Sequence, residues 1–303
     1  MDKTKTATLA GLLGYSIFGF SFIFCKMALE HTTPLTLLSL RFLLAFVVLN
    51  VMIRVGKMKV SFRGKPIGML MAMGLVQPVM YFICETYGIA MTSASFSGVM
   101  IGLAPVMGLI FGVLFLKERC TPLQVVCTVV SVVGVALTTT GGFGSVSAAG
   151  FLLLLGAITA AALFAIISRK VADSFSAIER TYVSFSFGSV IFTVIALLEN
   201  RGDLGAVVRP LTVPSFWMAL IYLAVLSSCG AFLLINFSLS YIQAGKVLIF
   251  NNFTTAISVL AGIFIMGDTF TWVQVVGILL IIGGVFGVSY QKPAEAVSEG
   301  ANS

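Results

Sequence analysis

Charge is the scarcest property of this chain. Asp, Glu, Lys and Arg make up 10% of its 303 residues, against about 25% in a soluble domain. A soluble fold needs a charged shell around its core, and this composition cannot supply one. Histidine occurs once, as His31 beside Glu30, so neither a metal cluster nor a histidine-based triad has the residues it needs. The five cysteines (Cys25, Cys84, Cys120, Cys127 and Cys229) stand singly, without a Cys-x-x-Cys pair. That spacing indicates neither a disulfide framework nor a metal cage, and the thiols read as small hydrophobes. A phosphate-cradling loop is missing too. Gly245-Lys246 has no matching upstream glycine and no hydroxyl residue after it, which removes direct drive by ATP. With no converging acids and no nucleophile–base pair, no enzymatic activity, metal or cofactor is expected.

Apolar sequence is what the chain has in abundance. Hydrophobic residues make up 59% and the mean hydropathy is +1.10. Runs near the membrane-spanning length of about 20 residues occur at 8–28, 35–53, 67–89, 96–116, 122–140, 148–168, 180–198, 216–239, 246–266 and 272–290. They lack the alternation of barrel strands, and a helix satisfies its own backbone donors in hydrocarbon. The expected fold class is therefore an all-α integral membrane protein of ten transmembrane helices. Lys3 and Lys5 precede the first run as in a signal peptide, but that run is too long for one and another follows at once, so it reads as uncleaved. The tail 291–303 has no apolar periodicity and reads as disordered.

The net charge of +7 is unevenly placed. With the N-terminus inside, Lys3, Lys5, Arg54, Lys57, Lys59, Arg63, Lys65, Lys117, Arg119, Arg169, Lys170 and Lys292 fall on the cytoplasmic side, and only Arg201 and Arg209 on the other. That asymmetry is the positive-inside pattern, with both termini cytoplasmic. It accounts for the basic balance without nucleic acid.

The chain also repeats itself after 150 positions: Gly112 falls on Gly262, Gln124-Val125-Val126 on Gln274-Val275-Val276, and Gly134-Val135 on Gly284-Val285. A period this long is a duplicated half, not a solenoid repeat. The units are 1–140 and 148–290, joined by a glycine-rich linker at 141–147. Five spans per unit is an odd number, so the second unit inserts upside down. Two inverted five-helix repeats provide two nearly equivalent arrangements, open to either side, which is the basis of alternating access. Gly98 and Gly102 in span 4, Ser258 and Gly262 in span 9, and Gly283 and Gly287 in span 10 are each four apart. Small residues at that spacing predict close helix contacts, with spans 4 and 9 meeting near the two-fold axis.

Phe18-Gly19-Phe20-Ser21-Phe22 with Lys26, Pro34 and Arg41-Phe42, then Ala104-Pro105 and Leu116-Lys117-Glu118-Arg119, resembles the drug/metabolite transporter superfamily, EamA type. The second half echoes it with Ser168-Arg169-Lys170, Gly245-Lys246, Asp268 and Gly284. The resemblance implies a carrier of amino acids, nucleosides or other small metabolites, often an exporter, in a bacterial-type cytoplasmic membrane. It also implies a central cavity lined by spans 1, 3, 4, 6, 8 and 9. Thr255 stands where the family often has proline, so span 9 is expected to be straighter than span 4.

An ionisable side chain at the centre of a membrane helix costs about 2.5–3.5 kcal/mol on insertion scales, so each one asks for a reason. Gln77, Tyr81 and Glu85 recur at intervals of four in span 3 and share a helix face. Glu85 either binds a substrate amine, carries a coupling proton, or pairs with a neighbouring cation. Tyr15, Phe18 and Phe22 are the candidate apolar and stacking contacts, and Asn236, Asn251 and Asn252 the candidate amides. Lys26, Arg41 and Lys246 are the candidate structural or gating charges. Together these predict a secondary transporter moving a small polar or amphipathic solute outward by alternating access. A proton is the candidate coupling ion, and the protein is a monomer or homodimer. An uncoupled facilitator of the same fold and a non-transporting receptor or assembly subunit are the alternatives.

Overall fold

The computed structural model describes residues 3–116, 121–140, 147–242, 244–267 and 271–290. The segment read as a linker lies outside them apart from Ser147, as do the tail 291–303, Cys120, Glu118 and Asp268; the side chains of Lys246 and Asn252 are also outside. Among the described residues the chain is helical, without a strand. The long helices are α1 (Lys3–Leu29), α2 (Pro34–Val55), α3 (Ile67–Ala90), α4 (Ala94–Ile101 continued by Ala104–Leu116), α5 (Pro122–Thr140), α6 (Ala148–Val171), α7 (Ala177–Glu199), α8 (Pro214–Tyr241), α9 (Ala244–Ile249 continued by Asn251–Ala261 and Gly262–Met266) and α10 (Trp272–Tyr290), with short helical turns at Gly205–Val208 and Arg209–Thr212 between α7 and α8. Seven apolar stretches within them are long enough to cross a membrane, and α5, α9 and α10 hold shorter ones at Val125–Gly134, Phe253–Met266 and Trp272–Gly284.

Local sequence explains where several helices begin. Thr33 caps α2 ahead of Pro34 at the first position, where a missing N–H does no harm. Ser176 and Glu179 form a reciprocal capping box on α7. Proline also explains the main break. Gln77 in α3 is extended (φ −144°, ψ 113°) just ahead of Pro78, because the proline ring drives the preceding residue out of the helical region. Wide π-type turns surround that break at Leu75–Met80. A second π-type stretch occupies Tyr222–Ala231 in α8.

The expectation that span 9 is straighter than span 4 is not met. Helix α4 is interrupted at Gly102 and Leu103, and α9 is interrupted at Phe250 without a proline. The two helices cross at close range there, and interhelical hydrogen bonds hold the interrupted backbone. The Asn251 amide donates to the Ile101 carbonyl, and Thr255 Oγ1 donates to the Gly98 carbonyl at 3.2 Å. A Cβ on Gly98 or Gly102 would overlap the side chain of Ser258 or Thr255.

The helices associate in pairs: α2 with α7, α4 with α9, α5 with α10, α1 with α8, and α3 with α6. The α2–α7 pair is antiparallel, since Thr33 bonds Glu199 at 3.0 Å, Ser39 bonds Thr193 at 3.2 Å, and Phe46 packs on Tyr182 at 5.4 Å. The α5–α10 pair is also antiparallel. A Cβ on Gly134 would lie 2.7 Å from the Gly277 carbonyl oxygen, and one on Gly284 would lie 2.6 Å from the Cys127 carbonyl oxygen. Gly283, by contrast, faces open space, so the close contact in α10 runs through Gly284 and Gly287.

Two ends of the bundle are distinguishable. At the basic end, Lys65 pairs with Glu179 at 2.7 Å and Lys3 lies 6.0 Å from the Tyr241 ring. At the opposite end, His31 bonds Ser215 at 3.1 Å and Lys26 reaches the end of α3.

Candidate functional site

The candidate site begins in α3. Its break leaves Gln77 turned inward, with 7% exposure and no hydrogen-bond partner for its amide among the described residues. One turn on, Tyr81 faces the same space. Both line a cavity of about 40 Å³, above the roughly 10–15 Å³ needed to hold a water and too small for a metabolite as it stands. Tyr15 and Phe18 from α1, and Ile101 and Ala104 at the interruption of α4, form one side. Phe164 and Ala165 of α6, Ile235 and Leu239 of α8, and Leu248 and Asn251 of α9 complete it. The wall is mainly apolar, and the Phe232 ring lies tilted against Phe18 at 6.2 Å and against Phe164 at 5.9 Å between centroids. Its free polar groups are the Gln77 amide and the Tyr15 hydroxyl, the latter also without a hydrogen-bond partner among the described residues.

Glu85 lies behind this wall, 2% exposed. Its carboxylate accepts a hydrogen bond from the Tyr81 hydroxyl at 2.7 Å, which joins the acid to the cavity through one side chain. No cation lies within ion-pair distance of Glu85 among the described residues. Arg41, also buried, instead donates to Ser228 Oγ at 2.9 Å and Ser227 Oγ at 3.0 Å, in the π-type stretch of α8. Its guanidinium lies 4.4 Å from the Phe82 ring. Aromatic face and paired hydroxyls hold the cation, and the Glu85 carboxylate lies near enough for its charge to act on it.

Lys26 is placed structurally. Its ammonium donates to the Ile89 carbonyl at 3.0 Å and the Thr92 carbonyl at 2.7 Å, where helix α3 runs out of intrahelical partners. Positive charge at a helix C-terminus is favourable, so the residue ties α1 to the end of α3. Lys26→Met should lower stability by about 1.5–3 kcal/mol, the worth of hydrogen bonds to a charged group, as measured by thermal unfolding in detergent.

The structure separates the remaining candidates. Tyr15, Phe18, Gln77, Tyr81 and Asn251 line the cavity. Phe22 does not; it is fully buried among other apolar side chains. Asn236 does not either, and the expectation that it orients a substrate is corrected. Its amide is consumed by structure, accepting from Ser168 Oγ at 2.8 Å and donating to Thr181 Oγ1 at 3.0 Å. Sequence reasoning passed over Arg180, which is fully buried in the first turn of α7. The available signal was a charged residue opening the seventh apolar run.

Comparison with known proteins agrees with this architecture. A model described as the EamA-like transporter family matches residues 5–140 and again 148–290. The uncharacterized transporter YcxC of Bacillus subtilis (strain 168) is 34% identical over 93% of this chain and 92% of its own length. YetK of the same organism, likewise an uncharacterized transporter, is 26% identical over 94% of this chain and 87% of its own. A solved crystal structure superposes with a TM-score of 0.68, covering 94% of this chain and 97% of that one, and at 16% identity it shows the fold alone.

Proposed function

The chain belongs to the EamA-like transporter family, and from that premise we propose that this multi-pass membrane protein is a secondary carrier that exports a small polar metabolite by alternating access. The proposed frame is ten spans in two inverted halves. The observation that carries it is a reciprocal contact between α5 and α10. Gly134 meets Gly277 and Ile281, while Gly284 meets Cys127 and Ser131; each member of the second set stands 150 positions from its counterpart in the first. A contact that maps onto itself under the repeat, between antiparallel helices, is what a two-fold axis in the membrane plane produces. The other pairs follow suit: α2–α7 and α4–α9 join equivalents, and α1–α8 exchanges with α6–α3. The cavity lies where the two halves meet.

In this proposal Phe18 and Tyr15 supply apolar and stacking contact, while Gln77 and Asn251 orient polar groups. When Glu85 is ionised, it accepts the hydrogen bond of the Tyr81 hydroxyl and leaves the phenol lone pairs for a donor such as a substrate ammonium. Protonating Glu85 releases that hydroxyl to donate, so the cavity changes its preference. This gives proton coupling a physical route. At about 40 Å³ the cavity must enlarge to admit a solute, as rocking of the halves would allow. The basic end is taken as cytoplasmic. Purified protein in proteoliposomes should show saturable flux of at least one member of a panel of amino acids, nucleosides, polyamines and sugar phosphates. Absence of flux across the whole panel would favour the receptor reading instead.

A further inference from the structure

Arg180 is the most unusual charge in the bundle. It has no exposed surface and no carboxylate within ion-pair distance among the described residues. Neutral groups hold it. One guanidinium nitrogen donates to the Ser168 carbonyl at 2.9 Å and to Ser168 Oγ at 2.7 Å. Another donates to the Asn236 carbonyl at 2.6 Å and to Ser240 Oγ. The third, Nε, is buried with no partner, and so is the hydroxyl of Ser184, one turn further along the same face of α7. The donors exceed the acceptors. Removing an ion from water carries a penalty of several kcal/mol unless its partners make it good, and neutral hydroxyls are weaker partners for a guanidinium than an anion is.

The partners of this cluster sit on two helices of the cavity wall, α6 and α8. Ser168 stands one turn beyond Ala165, and Asn236 and Ser240 follow Ile235 and Leu239, three residues of the cavity wall. On α7 the face that carries Arg180 and Ser184 continues to Gly188, where an added Cβ would lie 3.0 Å from Pro78, beside Gln77. The polar face thus climbs from the basic end of the bundle to the break in α3 that opens the cavity.

Building on the carrier reading, we propose that Arg180 reads an anionic group of the substrate, a carboxylate or phosphate, at the basic end of the cavity. In the closed form the Ser168 and Ser240 hydroxyls stand in for the anion and fasten α6, α7 and α8 together. As that end opens, an incoming anion replaces them with a bidentate, charge-assisted pair and engages the unused Nε and Ser184 donors. Anion binding and release of the fastening become one event, so an uncharged analogue lacks the means to promote opening.

The test is flux through the purified full chain in proteoliposomes. Amino acids and sugar phosphates are each run beside an uncharged-group counterpart (the carboxamide, the dephosphorylated sugar), with nucleosides and polyamines alongside. The carried solutes should bear a carboxylate or phosphate and exceed their counterparts by about ten-fold or more, the worth of one hydrogen bond to a charged group. Arg180→Gln, verified as folded, should lose that preference, and Arg180→Lys should keep part of it. A purely structural Arg180 would lower all fluxes together and leave the preference intact, which would overturn the proposal. Wild-type flux confined to nucleosides or polyamines, or equal for carboxylate and carboxamide, would overturn it too, and needs no variant to fold. Flux without preference rejects this inference alone, whereas no flux for any solute rejects the carrier reading beneath it.

Discussion

Gly134→Val and Gly284→Val should each lower the thermal unfolding temperature of the protein strongly, and by similar amounts. In both cases the first added carbon meets backbone: the Gly277 carbonyl oxygen at 2.7 Å for Gly134, and the Cys127 carbonyl oxygen at 2.6 Å for Gly284. Backbone cannot rotate away as a side chain can, so α5 and α10 must separate or shift along each other. Overpacking of a fitted interface typically costs about 1–3 kcal/mol and occasionally more, and a β-branched residue against two backbones belongs at the upper end. Gly283→Val is the control, because nothing lies within 4 Å of a Cβ there. Circular dichroism or fluorescence melts in detergent decide the matter. A neutral Gly284→Val would mean that the α5–α10 contact does not support the fold. Unequal losses at the two positions would weaken the two-fold reading.

The second large effect is on transport. Glu85→Gln should abolish accumulation driven by an imposed proton gradient while leaving exchange of substrate across the same liposomes. The glutamine keeps the size of the side chain and a hydrogen bond to the Tyr81 hydroxyl, but it carries no titratable proton. Without that proton the imposed gradient has nothing to act on, so gradient-driven accumulation should be lost while exchange continues. Tyr81→Phe cuts the link between Glu85 and the cavity and should produce a similar loss. Because the two residues act through one hydrogen bond of 2.7 Å, the double variant should be little worse than either single one. Normal accumulation by folded Glu85→Gln removes the proton-carrying role and leaves the acid as a structural partner of Tyr81.

Much of this architecture was legible before any coordinate was known. The apolar runs lie within the observed helices because hydrocarbon forces backbone polar groups to pair inside each segment. The break in α3 has a local cause in Pro78, since proline restricts its predecessor and removes a donor wherever it stands. Tyr15, Phe18, Gln77, Tyr81 and Asn251 were all singled out and all reach the cavity. The interruption of α9 was not legible, because it follows from close crossing with α4 rather than from a local breaker. Nor were the apolar residues of the cavity wall: Ile235 or Leu248 looks the same in a sequence whether it faces a cavity or a core.

The sequence by itself determined that the chain spans a membrane, that it is duplicated, and which few polar side chains had to find partners within it. Only the tertiary structure decided which of those were already partnered. Ser168 bonds Asn236 across 68 positions, and Arg41 bonds Ser228 across 187. A buried polar group needs a partner, but periodicity says only which face of its own helix it occupies, not what the facing helix offers. Asn236 found a hydroxyl and became structure, Gln77 found open space and faces the cavity, and Arg180 found no acid among the described residues.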